Sequence, residues 1–154
     1  MVDLGAHLSP HFTVGELCRT AHAGIDNTPN QDAVYHLTSL CQLVLEPLRA
    51  KFGPLWVSSG YRCPALNKAI GGVHDSAHVF GFAADVVPAS PGITIASMVR
   101  WLRESPIEFD QAIDESTGPG SAWCHVGLLR PGFEPKPRRE CLVFRGGIYT
   151  PFAA

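Results

Sequence analysis

Residues 74–87 read HDSAHVFGFAADVV, and the second half of that stretch is an apolar strand signal with one carboxylate, Asp85, in its middle. A charged group inside an apolar strand is costly unless it is paired or holds a cation. Asp85 therefore needs a cationic partner. His78 stands in the loop just ahead, and Gly81, Ala83 and Ala84 are small enough for the chain to fold back until both side chains reach one point. A third candidate, His125, lies in AWCHVGLL (122–129), another strand signal. Strand alternation puts Trp123, His125 and Gly127 on one face and Cys124 and Val126 on the other, so Cys124 points away from any ion that His125 holds. Two imidazoles and a carboxylate leave a tetrahedral ion one open position, the pattern of a catalytic zinc site. The alternative for the same residues is a core histidine at 125 and a loop histidine at 78, with no ion.

Upstream, residues 7–30 read as irregular structure with one short helix at VGELCR (14–19). Thr28, Pro29 and Gln31 stand as N-cap, first helical position and N3 of a capping box. Leu37, Leu40, Cys41, Val44, Leu45 and Leu48 then recur at three- and four-residue spacing, which predicts a long helix packing one stripe on the core. Pro47 is expected to kink its last turn, and Gly53 and Pro54 to stop it. LWVSSG (55–60) and FAADVV (82–87) read as strands, with a short helical turn between them in 61–72. A helix is expected from about Ile93 to Arg103, with Ile95, Met98, Val99 and Leu102 on its apolar side. FDQAIDE (109–115), the turn STGPGS (116–121) and AWCHVGLL read as an antiparallel hairpin. RPGFEPKPRRE (130–140) reads as a Pro-rich loop, CLVFR (141–145) as the last strand, and the remainder as a Gly-rich tail. These elements predict an α+β fold, with helices packed on one face of a mostly antiparallel sheet.

At 154 residues, the chain is expected to form a single domain over 1–154. Its 45% hydrophobic and 17% charged residues exclude a disordered tail. A net charge of -2, from 12 basic against 14 acidic residues, argues against a nucleic-acid partner bound by bulk electrostatics. Apolar stretches end well short of 18 residues, so no membrane insertion is expected. The start MVDLGAHLSP lacks a basic segment followed by an apolar one, so no secretory leader is expected. The five cysteines are scattered without a CxxC pair, which disfavours a zinc ribbon and fits synthesis in a reducing compartment. Rossmann, P-loop, HExxH and C2H2 motifs are missing.

SSGYRCPALNKAIGG (58–72), SAHVFGFAADVV (76–87) and AWCHVGL (122–128) together resemble the M15-type metallopeptidases, the zinc D,D-carboxypeptidase and L-alanyl-D-glutamate endopeptidase group that cuts bacterial peptidoglycan peptides. FTVGELCRT, GIDNTPN and FDQAIDE extend the likeness to a compact variety found in phage genomes and prophages. The resemblance implies the zinc D,D-peptidase (Hedgehog/DD-peptidase) fold, Zn2+ held by His78, Asp85 and His125, Arg62 as the substrate-binding arginine, and Ser76 as the hydroxyl of the first ligand motif. By itself, Arg62 at a strand end suits a bidentate grip on a peptide carboxylate, or else a structural salt bridge. Tyr61 reads as a packing residue, and Asn67 as a tie on the loop after Arg62.

One departure concerns the general base. Many relatives carry Glu or Asp three residues before the last histidine, where this chain has Ala122. Glu115 is the leading replacement and matches an acidic residue of the compact variety; Asp114 and the weaker His74 are the others. The resemblance implies an endolysin-like enzyme acting on peptidoglycan peptides in the cell wall; the chain is further expected to be a monomer made in the cytoplasm. The expected scissile bond is L-Ala–D-Glu, with the terminal D-Ala–D-Ala bond as the alternative. The vacancy at position 122 also admits a non-catalytic, zinc-stabilised binding module.

Overall fold

The computed structural model describes residues 2–132 and 135–153. The predicted apolar stripe forms the spine of the core. Leu37, Leu40, Cys41, Val44, Leu45 and Leu48 are all fully buried, and a buried leucine side chain contributes roughly 1.5–3 kcal/mol. They lie on α2 (Gln31–Leu40), a π-helical turn (Cys41–Leu45) and α3 (Glu46–Phe52), which run end to end. The helix starts later than the capping box predicts. Asn30 is its N-cap, accepting from the Ala33 N–H, and asparagine caps better than threonine. Pro47 perturbs the helix ahead of itself rather than in the last turn. Proline lacks an N–H and crowds the carbonyl four residues back, and the widened π turn lies there, with the Glu46 N–H bonded to Cys41 O.

The N-terminal stretch is more regular than expected. β1 (His7–Ser9) and β2 (Phe12–Thr13) pair antiparallel, and α1 (Val14–Leu17) follows with Thr13 and Glu16 closing a capping box. Strands this short carry no readable alternation.

The main sheet contains β3 (Leu55–Ser59), β4 (Ala83–Pro88), β5 (Gln111–Gly118), β6 (Ser121–Gly127), β7 (Glu140–Arg145) and β8 (Ile148–Pro151) in the order β3-β4-β6-β5-β7-β8. All neighbours are antiparallel except β5 and β7. The fold is thus α+β with a mostly antiparallel sheet. β8 corrects the expected Gly-rich tail. Gly146 and Gly147 both have positive φ, 57° and 83°, which suits a two-residue hairpin turn matching the twist of the strands. Of the predicted Pro-rich loop, residues 133 and 134 lie outside the described residues.

One face of the sheet is sealed by helices. Ala84, Val86, Ala112, Cys124 and Val126 share a buried cluster with the α2–α3 stripe and with Met98, Val99 and Leu102 of α5 (Ile95–Glu104). The other face carries Asp85, His125, Ile113, Glu115 and Trp123. Among the described residues, no helix is long and apolar enough to cross a membrane.

Candidate functional site

The open face brings three segments to one point. Asp85 on β4 is the register partner of His125 on β6, and Ser59 on β3 lies on the other side of Asp85. His78 arrives from a 3₁₀ turn, Ala77–Phe80, just before β4. Two features hold that turn. Arg62 N–H donates to His78 O at 3.1 Å, and Arg130 donates to the Asp75 carbonyl while stacking on the Phe80 ring at 4.6 Å. Below it, Gly60 packs so closely on Leu17 that an added Cβ would come within 2.2 Å of the Leu17 carbonyl. Asn27 fastens the same loop, donating to Cys18 O and Tyr61 O and accepting from the Cys63 N–H.

His78 Nδ1 lies 2.7 Å from Gly60 O. A carbonyl only accepts, so Nδ1 carries the hydrogen, and neutral His78 presents a lone pair at Nε2. That lone pair faces Asp85 Oδ1 at 3.3 Å and His125 Nδ1 at 3.3 Å, and the last two are 2.9 Å apart. Donors about 2.0–2.1 Å from a tetrahedral ion stand about 3.3 Å from one another, so this triangle has the size that a small divalent cation requires. Donor chemistry agrees with it. Burial pushes the His78 imidazole down, towards the neutral form. Burial opposes protonation of His125 too, but its hydrogen bond to Asp85 and the carboxylate charge outweigh it and push the imidazole up. Burial would raise the Asp85 carboxyl, yet the two histidines hold it far below the usual range. The centre is electron-rich, with one proton on His125 standing where a cation would.

Arg62 is occupied rather than projecting freely. Its Nη2 donates to Asp85 Oδ2 at 2.6 Å and its Nε to Ser59 Oγ at 2.7 Å. The guanidinium orients the oxygen of Asp85 that faces away from the histidines. Nη1 has no partner among the described residues.

Of the three candidate bases, only Glu115 shares the face of the donor group. It lies opposite Trp123, and Ile113 lies opposite His125. Burial pushes its carboxyl above the ordinary range; the Asp85 charge adds to this, and His125, Trp123 and Arg62 partly offset it. The Trp123 indole N–H favours the ionised form from nearby without meeting hydrogen-bond geometry. Asp114 faces the other way, opposite Cys124, and pairs with Arg145 at 2.9 Å. His74 is exposed and borders neither cleft at the site.

Two clefts adjoin the donor group. One, of about 370 Å³, reaches it at His125 and is walled by Glu115, Ile113, Ser76 and Tyr149. The other, of about 730 Å³, reaches it at Asp85 and is walled by Arg62, Ser59, Trp123, Arg19 and His22. Both sizes suit small-ligand binding.

The Peptidase M15 family model matches residues 10–116. The chain belongs to this peptidase family. The match includes Arg62, His78, Asp85 and Glu115 and ends before His125, which the β4–β6 pairing adds to the group. A comparison with curated proteins found no match.

Cys124 is fully buried on the helix side, as alternation requires. Tyr61 is buried in the core cluster. Asn67 ties the loop after Arg62 as expected: its N–H donates to Cys63 O at 2.9 Å, its carbonyl accepts from the Gly72 N–H at 2.8 Å, and Nδ2 donates to Val73 O at 2.8 Å. Sequence reasoning passed over Tyr149. It lies beside Phe144 on β8, in the row that continues from Trp123 through Glu115, and its hydroxyl is pushed up by burial and by the charges of Glu115 and Asp85. The Gly146-Gly147 pair was the available signal, since it folds β8 back onto the sheet.

Proposed function

We propose that this protein is a zinc-dependent peptidase that hydrolyses peptide bonds in bacterial peptidoglycan stem peptides, acting as an L-alanyl-D-glutamate endopeptidase on the zinc D,D-peptidase fold. The observation that carries this reading is the convergence of His78 Nε2, Asp85 Oδ1 and His125 Nδ1 on one point, with Glu115 on the same face. His78, Asp85 and His125 would hold the ion. When bound, it supplies Lewis acidity to the scissile carbonyl and the attacking water. Glu115, on the same face, would take a proton from the attacking water and hand it to the leaving nitrogen. Arg62 and Ser59 fix Asp85, and the Gly60 carbonyl fixes the His78 tautomer. The helix-packed face keeps these groups in register.

Clefts on two sides of the donor group favour an endopeptidase, because an internal bond needs room for chain in both directions. A carboxypeptidase needs one side closed around the terminal carboxylate. We place the enzyme, as a monomer, at the bacterial cell wall, in the manner of a phage endolysin.

Digestion of purified stem peptides followed by mass spectrometry tests the reading. Cleavage between L-Ala and D-Glu is expected, lost on chelation and restored by zinc. Release of terminal D-Ala would make the enzyme a carboxypeptidase. No hydrolysis of either peptide with zinc bound would leave a binding module.

A further inference from the structure

The two clefts differ in charge. At the His125 end, cations and acids are matched. Arg138 grips Asp110 through Nε and Nη2, and Arg130 lies against Asp75, leaving Glu115 as the carboxylate that faces the donor group. At the Asp85 end the balance reverses. Arg19, His22 and Arg62 line that cleft with one carboxylate, Asp85, which is already engaged by Arg62 and the two histidines. Arg19 is exposed and makes no ion pair or hydrogen bond among the described residues. The acid on the loop beyond it, Asp26, accepts from the Thr28 N–H. An uncompensated guanidinium thus stands in the wall of a cleft that opens on the candidate reaction centre.

We propose that the Arg19 end of the groove is an anion subsite, taking a carboxylate carried by the peptide substrate close to the scissile bond. This rests on the peptidase reading above and adds a direction to it. The carboxylate-bearing residue lies on the Arg19 side of the donor group, and the other part of the peptide runs past Glu115 and Tyr149. A guanidinium binds a carboxylate through two parallel N–H donors, which fixes orientation as well as affinity. Arg62 cannot do this alone, since two of its nitrogens are committed to Asp85 and Ser59. A γ-linked glutamate fits such a subsite, because its free α-carboxylate lies beside the amide that joins it to the preceding residue.

The test uses two stem-peptide analogues that differ in one group, a free α-carboxylate or a carboxamide on the residue after the scissile bond. The zinc-loaded protein should prefer the carboxylate peptide in kcat/KM by roughly 10-fold or more, the size expected for a charge-assisted contact. Arg19→Gln should bring that ratio close to one. Calorimetry in a Glu115→Gln background supplies a reading independent of turnover, and there Arg19→Gln should weaken binding of the carboxylate peptide by a similar factor. Hydrolysis with no preference in the parent protein, or with an unchanged ratio in Arg19→Gln, would overturn the subsite and leave the peptidase reading standing. Should neither peptide be cut, the peptidase reading fails and calorimetry decides the subsite: weaker binding in Arg19→Gln upholds it, and unchanged binding overturns it.

Discussion

Asp85 and Val86 are neighbours on β4, yet Val86 is sealed against the helices while Asp85 faces the groove with both histidines. The same contrast separates Glu115 from Asp114 on β5, and His125 from Cys124 on β6. On the helix side, burial of Val86 and Cys124 is stabilised by contact between apolar groups and answers to volume, while Asp114 is held by its ion pair with Arg145. On the groove side, equally buried polar groups are stabilised by one another's charge and hydrogen bonds. Asp85 is as inaccessible as many core residues, at 5% exposure, but no apolar side chain could replace it without stranding Arg62, His78 and His125. Packing on one face thus holds the spacing of donors on the other.

Exchanging these neighbours one at a time gives the largest expected contrast. Asp85→Asn removes a donor charge and leaves Arg62 without its counterion. Metal binding, followed by calorimetry, should be lost and hydrolysis should drop to background. Val86→Ala empties two methyl groups from the sealed face and should lower unfolding free energy by about 2 kcal/mol, with metal binding and kcat/KM retained. A Val86→Ala protein that lost metal while remaining folded would show that the two faces are not separable.

Period-2 alternation made the faces legible in the sequence, because one buried face and one functional face force the register. Alternation put His125 on the face opposite Cys124, and the family resemblance joined it to His78 and Asp85; its register opposite Asp85 came only with the pairing of β4 and β6. The helix stripe was legible for the same kind of reason, six apolar positions at helical spacing. Contacts between segments far apart in the chain were not. Arg62 at a strand end reads either as a substrate fork or as a structural salt bridge, and which carboxylate it meets, Asp85, 23 residues on, depends on how β3 and β4 pair. Asn27 looks like any loop asparagine until the folded chain brings Cys18, Tyr61 and Cys63 to its amide. β8 was hidden because four exposed residues, Ile148–Pro151, carry no burial pattern.

A second pair sharpens the contrast on β5. Glu115→Gln keeps the size of the side chain and removes its basicity, so hydrolysis should fall by roughly 10²-fold or more with metal retained. Since the base must be ionised, kcat/KM should rise with pH through the pKa that Glu115 has in the metal-loaded protein. The limb should vanish in Glu115→Gln. Linkage gives the opposite sign for stability. A carboxyl with a raised folded pKa contributes stability below its unfolded pKa and loses it as pH rises through the folded one. Metal-free Glu115→Gln should therefore melt slightly higher than the parent at neutral pH. Asp114→Asn weakens a pair with the half-exposed Arg145, worth no more than about 1 kcal/mol, and should leave hydrolysis intact. A rate collapse in Asp114→Asn, with Glu115→Gln near the parent, would reverse the assignment.

Arg62→Lys gives a smaller effect on the site than Asp85→Asn or Glu115→Gln and divides two roles for one residue. Arg62 reaches Ser59 Oγ with Nε and Asp85 Oδ2 with Nη2, at 2.7 and 2.6 Å. Lysine keeps the charge but has one nitrogen, so it cannot satisfy both partners in the same plane. If the arginine positions Asp85, the substitution should weaken metal affinity by about 10-fold, the lower end of what losing a partner of a metal ligand costs. The rate should then recover in part when metal is raised to saturation. If the arginine instead grips substrate, metal affinity stays at the parent value and KM rises whatever the metal concentration. The pairing with Asp85 favours the first outcome. Ser59→Ala provides the check: it removes the hydroxyl that holds Nε and leaves every charge in place, so it should shift metal affinity in the same direction by less. A shift in KM alone, in both variants, would move Arg62 from the metal side of the site to the substrate side.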